Sequence, residues 1–250
     1  MPKEYITGKN PVYETITANR RQIYRLFVAA GAHEKGKLSE IIQLAEARKI
    51  PISPVNRPQL DHWGENHQGV AAEVNGYSYC DTEDILEYAR SRQEPLFILI
   101  LDLIQNPQNL GTLLRTAEAA GIHGVILPLA RSAIITPAVV TASAGASEHI
   151  LIAQSNLSQA ITRIKEVGGW VVGLEGSPSA KLPNEVRLDG PLAIIVGNEG
   201  EGMRPLVRNS CDFHLRLPMF GKVESLNASV AGSIALYLAV DARHKKDQST

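Results

Sequence analysis

Two carboxylates on a glycine loop at the end of an apolar run are the first residues of this sequence that could do chemistry. Residues 193–196, Ala-Ile-Ile-Val, read as a buried strand that runs straight into Gly197-Asn-Glu199-Gly-Glu201-Gly202. The glycine spacing matches a phosphate loop, but Met203 and Arg204 stand where a Lys-Ser/Thr pair belongs, and Glu199 and Glu201 would repel phosphate. The order also fails the dinucleotide pattern G-x-G-x-x-G, which counts against a nicotinamide-dependent oxidoreductase. The loop suits a neutral or cationic ligand with hydroxyls; taken alone, an ordinary solvated turn competes with that reading.

Two further segments carry polar residues that a core would not select. In the stretch 102–115 a strand ends in an Asn/Pro turn, Asn109 stands where a helix N-cap belongs, and Arg115 lies inside the helix beside Leu113, Leu114 and Ala117. A lone cation there wants an anion, and a surface ion pair is the plainer alternative. In the stretch 224–227, Ser225 or Asn227 would cap a final helix. Capping explains each singly. Their joint presence at strand ends and helix starts argues for a site, since open α/β sheets bind ligands along that edge.

The elements that must position these residues are legible as alternation. Unbroken apolar runs at 96–102, 124–127, 149–153, 170–174 and 192–196 read as parallel strands buried on both faces. Helical periodicity occupies 110–120, 137–143 and 157–167, and 213–219 is strand-like. This is an α/β pattern, which by ordinary connection rules gives an open doubly wound sheet. Within 224–243, Leu226, Val230, Ile234 and Leu238 recur four apart among Ala228, Ala231, Gly232 and Ala235, the mark of a closely packed helix. Residues 1–80 form a separate small α/β unit with helices at 10–23 and 38–48 and strands at 24–30 and 69–74. A charged helix at 81–92 ends at Glu94-Pro95, so 81–94 is expected to be a linker and 95–250 a second domain.

At 250 residues the chain has room for two cores. With 25 basic and 26 acidic residues its net charge of −1 advertises no nucleic-acid partner, so any RNA contact must come from local patches. Cys80 and Cys211 are isolated, giving neither a disulfide framework nor a metal site. No apolar run reaches the roughly 18 residues of a membrane span and no signal core opens the chain, so a cytoplasmic protein is expected.

Taken together, the polar segments resemble the motifs of the SpoU (TrmH) family of RNA ribose 2'-O-methyltransferases. They stand as Asn109-Leu-Gly111-Thr-Leu-Leu-Arg115, Gly197-Asn-Glu199-Gly-Glu-Gly202 and Ser225-Leu-Asn227-Ala-Ser-Val-Ala231, in the family's order. The first domain is similar to the family's L30e-like substrate-binding domain through Gly8-Lys-Asn10-Pro-Val12 and His67-Gln-Gly69-Val.

The resemblance implies a SPOUT-type parallel sheet with helices on both faces, a C-terminal trefoil knot and a homodimer. It also implies S-adenosylmethionine as cofactor, held by Glu175, Gly176, Gly197, Leu217, Met219, Ser225 and Leu226. Asn109, Arg115, Glu199, Ser225 and Asn227 would form the catalytic neighbourhood, with Glu199 and Asn227 orienting Arg115 and the ribose. The substrate most similar enzymes imply is a guanosine of 23S ribosomal RNA, with transfer RNA or a non-catalytic RNA-binding role as alternatives. RNA contact would fall to the first domain and the cleft between domains, where Arg20, Arg21, Arg25, Lys35 and Lys37 are the nearest cations and Tyr5, Tyr13 and His67 could stack or pair.

Overall fold

Chain order gives β1 (Lys3–Thr7), α1 (Lys9–Ala18), β2 (Ile23–Ala29), α2 (Lys37–Ala47), β3 (Ile52–Val55), α3 (Arg57–Trp63) and β4 (Val70–Asn75). There follow α4 (Thr82–Ser91), β5 (Phe97–Leu101), α5 (Pro107–Ala119), β6 (Gly124–Pro128), α6 (Pro137–Ala142), β7 (Leu151–Ser155), α7 (Leu157–Glu166) and β8 (Trp170–Leu174). The chain ends with β9 (Leu192–Val196), α8 (Pro205–Asn209), β10 (Phe213–Leu215) and α9 (Ala228–Asp247). These come from a computed structural model that describes residues 3–33 and 35–247.

The chain divides into two units, one of Met1–Ser78 with Ile134–His149 and one of Tyr79–Ala133 with Ile150–Thr250. In the first, four strands lie in the order β1-β4-β2-β3, antiparallel except for the β2–β3 pair. Val12 and Ile16 of α1 and Leu38 and Ile41 of α2 are buried, because each helix sets its apolar residues three or four apart. The two short sequence matches meet here: the Gly8 amide donates to the Val70 carbonyl and the Lys9 amide to Gln68 Oε1. Residues 134–149, which sequence order places with the second domain, belong to this unit. The Glu148 carboxylate at their end accepts from buried Arg21 Nε at 3.0 Å.

The second unit is a six-stranded sheet, β10-β8-β9-β5-β6-β7, parallel throughout. Period-2 alternation sends Ile98, Ile100, Ile126, Ala193 and Ile195 to one face. There they pack with Ile85, Leu86 and Ala89 of α4 and Ile161 and Ile164 of α7. The segment 81–94 is therefore not a free linker: its helix closes this core, because its apolar residues share one stripe. Helices α5 and α9 pack together over the other face, so closely that a Cβ on Gly232 would lie 2.5 Å from Leu113 Cδ2 and 2.9 Å from Val196 Cγ2.

The chain adds β6 and β7 on one side of β5, then crosses to build β8, β9 and β10 on the other. The order thus reverses beside β5 and β9, and the loops after these two strands border the crevice where such sheets take ligands. Four shorter elements, β1, β3, α3 and α8, have no counterpart among the expected ones, and the strand expected over 213–219 is only three residues long.

Candidate active site

The loop after β5 opens α5 at Asn106, whose side-chain oxygen accepts from the Gln108 amide at 2.8 Å, with Pro107 at the first helical position. Asn109 is thus not the cap that the sequence suggests. It lies one turn inside, and its amide is free to point elsewhere. The loop after β9 is closed on itself by reciprocal hydrogen bonds between Asn198 and Gly202, each 3.0 Å. Gly202 has φ 69, and a Cβ on Gly197 would sit 2.4 Å from the Gly202 carbonyl carbon, so only glycine permits the two backbones to pass. Asn198 Nδ2 donates to the Leu103 carbonyl at 3.1 Å, tying this loop to the one after β5.

These constraints bring three distant side chains together. Asn109 Nδ2 donates to Glu199 Oε1 at 2.6 Å, Asn227 Nδ2 donates to the same oxygen and to Asn109 Oδ1 (3.1 Å), and the Ala228 amide approaches Glu199 Oε1 at 3.4 Å. Asn227 also caps α9, its Oδ1 accepting from the Ser229 amide at 2.9 Å. One residue does both tasks, which is why α9 starts at Ala228 rather than at residue 224. All donors gather on Glu199 Oε1. Its Oε2 has no partner among the described residues.

Arg115 is not part of this cluster. It is exposed and makes no ion pair among the described residues. Six residues beyond Asn109 on a regular helix it is rotated by roughly 240° and raised by about 9 Å, so the two side chains leave different faces of α5. Within one chain Glu199 and Asn227 hydrogen-bond Asn109 and not Arg115.

The seven residues expected to hold a cofactor, Glu175, Gly176, Gly197, Leu217, Met219, Ser225 and Leu226, line one cavity of about 140 Å³. Leu174, Val196, Leu215, Ala228 and Ala231 complete its apolar wall, and Glu199 and Glu224 its polar one. No lysine or arginine lines it. Glu175 holds Arg208 through two hydrogen bonds, 2.7 and 2.8 Å, and that guanidinium keeps its carboxyl below the usual range. The N–H groups of Leu217, Met219 and Leu226 find no backbone partner among the described residues, so they are open to a ligand. Ser225 is exposed on the rim. On the other side of Glu199 a second cavity of about 210 Å³ is lined by Ile104, Gln105, Asn106, Asn109 and Asn198.

Sequence reasoning missed Asp102. Fully buried at the end of β5, it accepts from the Arg204 amide and Nε, both at 2.7 Å, and so anchors the far end of the glycine loop. The available signal was an acidic residue closing an apolar run. Among the cations considered for RNA, Arg21 is buried against Glu4 and Glu148, whereas Arg20, Arg25 and Lys35 are exposed. Tyr5 has one ring face stacked on Trp63 at 4.4 Å, and both ring nitrogens of buried His67 are taken, Nδ1 by the Gly69 amide and Nε2 by Asp61.

The comparisons with known proteins concern these same residues. Residues 96–237 match the SpoU rRNA Methylase family, and 5–80 match the RNA 2'-O ribose methyltransferase substrate binding domain. The chain is 42% identical over 238 residues, 94% of each protein, to YacO of Bacillus subtilis, which is named within the TrmH family of tRNA/rRNA methyltransferases. The chain belongs to the SpoU methylase family.

Members of this family are RNA methyltransferases, and this chain is one. Its fold is that of the SpoU methyltransferase AviRb from Streptomyces viridochromogenes, solved in complex with the cofactor AdoMet. That match has TM-score 0.81 and 20% identity, and covers 97% of this chain and 91% of the other. The AdoMet-bound rRNA methyltransferase from Sinorhizobium meliloti matches with TM-score 0.77 and 24% identity over 95% and 86% of the two chains. Among the described residues no helix is long and apolar enough to cross a membrane.

Proposed function

We propose that this enzyme transfers a methyl group from S-adenosylmethionine to a ribose 2'-oxygen in RNA, and that the target is a guanosine of 23S ribosomal RNA. The observation that carries the proposal is the position of Glu199, which lines both the carboxylate-bearing apolar cavity and the polar cavity beside Asn109. A donor in the first and an acceptor in the second would meet across it. The donor cavity fits the cofactor by its chemistry: apolar walls for the adenosyl group, open backbone amides for its polar edges, and the carboxylates of Glu199 and Glu224 with no lysine or arginine in the lining. Bound there, S-adenosylmethionine supplies an electrophilic methyl group on a positively charged sulfur.

What the chain itself contributes is position. The two asparagine amides and the Ala228 amide fix Glu199 by one oxygen, leaving Oε2 to accept a hydrogen bond from the acceptor hydroxyl and aim it. Holding reacting atoms in line supplies up to about 7–11 kcal/mol of a barrier. Arg115 would steady the developing oxyanion or anchor a substrate phosphate rather than act as a true base, and the hydroxyl proton would pass to Glu199 Oε2 as the oxygen–carbon bond forms and the sulfur–carbon bond breaks.

Its place off the cluster supports a homodimer in which a second copy completes the site. On α9, which packs with α5, Val230, Ile234 and Tyr237 form an exposed apolar stripe suited to that contact. A C-terminal trefoil knot is part of the same proposal. The chain after β10 is pinned to the 175–191 loop, Arg216 donating to the Lys181 and Ala180 carbonyls. From there it returns as α9, whose Arg243 donates to the Leu96 and Gly190 carbonyls. A crystal structure with an unthreaded C-terminal segment would remove the knot.

The two relevant domains, 1–80 and 95–250, would divide substrate binding from chemistry in a cytoplasmic enzyme. Transfer RNA remains the second reading, favoured by the tRNA/rRNA designation of the relatives. Incubating the protein and labelled S-adenosylmethionine separately with unmodified 23S ribosomal RNA and bulk transfer RNA decides between them. Label in a ribosomal guanosine is the expected result, and label confined to transfer RNA would overturn the assignment.

A further inference from the structure

A third cavity, of about 500 Å³, lies along the same sheet edge and shares only Arg204 with the site described above. One wall is the turn after β6, Pro128 to Arg131; the floor is Ser155 to Ser158 at the end of β7 and start of α7; the other wall is Arg204 to Val207. Its charged side chains are two arginines, and no carboxylate lines it. The donor cavity has the opposite composition, so a cationic ligand and an anionic one are sorted to different clefts.

Arg204 is held from behind. Its Nε is committed to buried Asp102, which leaves the two terminal nitrogens without partners among the described residues. Arg131 makes no ion pair among the described residues either, and it follows Leu129, whose apolar side chain is 69% exposed. Across the cleft Leu206 is 74% exposed. The unpaired guanidinium of Arg131 and the two open terminal nitrogens of Arg204, set between two exposed apolar side chains, match one chemical class: a phosphate carrying a flat, partly apolar base. Asn156 adds a base-edge contact, since its Oδ1 is used in capping α7 and its amide nitrogen is not.

We propose that this cleft holds a nucleotide of the RNA substrate adjacent to the one being methylated, with its phosphate on Arg131 and Arg204 and its base against Leu129 and Leu206. The inference rests on the methyltransferase reading. Strands β5, β6 and β7 are neighbours, so one or two strand spacings, roughly 5–10 Å, separate the cleft from the loop that carries Asn109. Arg204 joins the two places directly, because it ends the Glu199 loop and binds the last residue before the Asn109 turn. The RNA would enter as a splayed single strand, its neighbouring base lodged while the target ribose reaches Glu199.

The test uses the full chain, a fluorescein-labelled ten-nucleotide single-stranded RNA, and the variants Arg131→Ala and Leu129→Ser/Leu206→Ser. Arg131→Ala is expected to weaken RNA binding roughly tenfold, as for the loss of one hydrogen bond to a charged group. It is also expected to lower the salt slope of binding by about 0.7, the value for one phosphate contact on a single strand. The double leucine variant is expected to lower RNA affinity with no change in that slope. S-adenosylmethionine affinity, measured by calorimetry on the same samples, should match wild type and reports both folding and the donor site. RNA carrying 4-thiouridine should cross-link within residues 128–131 or 204–207.

Unchanged RNA affinity and slope in Arg131→Ala, with S-adenosylmethionine still bound, would overturn the inference, as would cross-links found only elsewhere. Uridine monophosphate binding as tightly as the oligonucleotide would overturn the assignment to RNA. Failure of wild type to bind S-adenosylmethionine would count against the methyltransferase reading instead, while the cross-links still report on the cleft.

Discussion

Glu199 concentrates three donors on one oxygen and leaves the other open, an arrangement that costs side-chain freedom and gains a fixed acceptor. Replacing it by glutamine keeps the size and leaves one oxygen for Asn109, Asn227 and the Ala228 amide, but puts an NH2 donor where the open Oε2 would accept the ribose hydroxyl. Transfer should fall by about 100-fold or more in kcat, the scale seen when one preorganised polar group is removed from an active site. A Glu199→Gln enzyme within a few-fold of wild type in single-turnover assays would remove this residue from the mechanism. Arg115→Ala should abolish transfer as well, yet leave S-adenosylmethionine binding nearly unchanged, since the donor cavity does not include it. The sequence showed which residue types matter but not which of them meet. Asn109 looked fit to cap α5, and only backbone geometry assigns the cap to Asn106, three residues earlier and just before Pro107.

At the scale of elements, the parallel sheet was readable because its strands are buried on both faces and therefore spelled as continuous apolar runs. Short edge pieces such as β3, with one proline and a half-exposed pattern, lack that signal. One cross-element contact sets a pH dependence. His123, 3% exposed, receives the Phe97 amide on Nδ1 at 3.0 Å and donates from Nε2 to Glu94 at 3.0 Å. Burial pushes its pKa below 6.5, with the Glu94 carboxylate opposing, and the Phe97 amide would face a second N–H if Nδ1 were protonated. The unfolded chain thus binds the proton first as pH falls through about 6.5, so stability rises with pH up to that point and is lost below it. Urea unfolding of His123→Asn, whose oxygen can still accept from Phe97, should show a flatter decline between neutral and mildly acid pH. An identical slope in the variant would assign the acid sensitivity elsewhere.

For the molecule as a whole, the discrepancy with chain order is the instructive one. Residues 134–149 leave the end of β6, join the first unit and return as β7, which local periodicity has no means to report. What holds them is a buried ion pair: Arg21 is bound to Glu148 and Glu4, and burial raises the Glu148 carboxyl above its usual range against the pull of Arg21. Removing the cation should strand that charge. Arg21→Met is expected to cost about 3–5 kcal/mol near neutral pH, and less in acid, where Glu148 takes up a proton. Denaturation midpoints of wild type and variant at two pH values check this, and a loss near zero at neutral pH would show that the segment is held by its apolar contacts alone.

The central claim is that Asn109, Glu199 and Asn227 present a ribose oxygen to a methyl donor. Digesting the RNA product to nucleosides after reaction with methyl-labelled S-adenosylmethionine, and separating them by mass, tests it most directly. All label should be recovered as a 2'-O-methylated nucleoside and should vanish in Glu199→Gln. Label on a base, or ribose label that persists undiminished in that variant, would contradict the account.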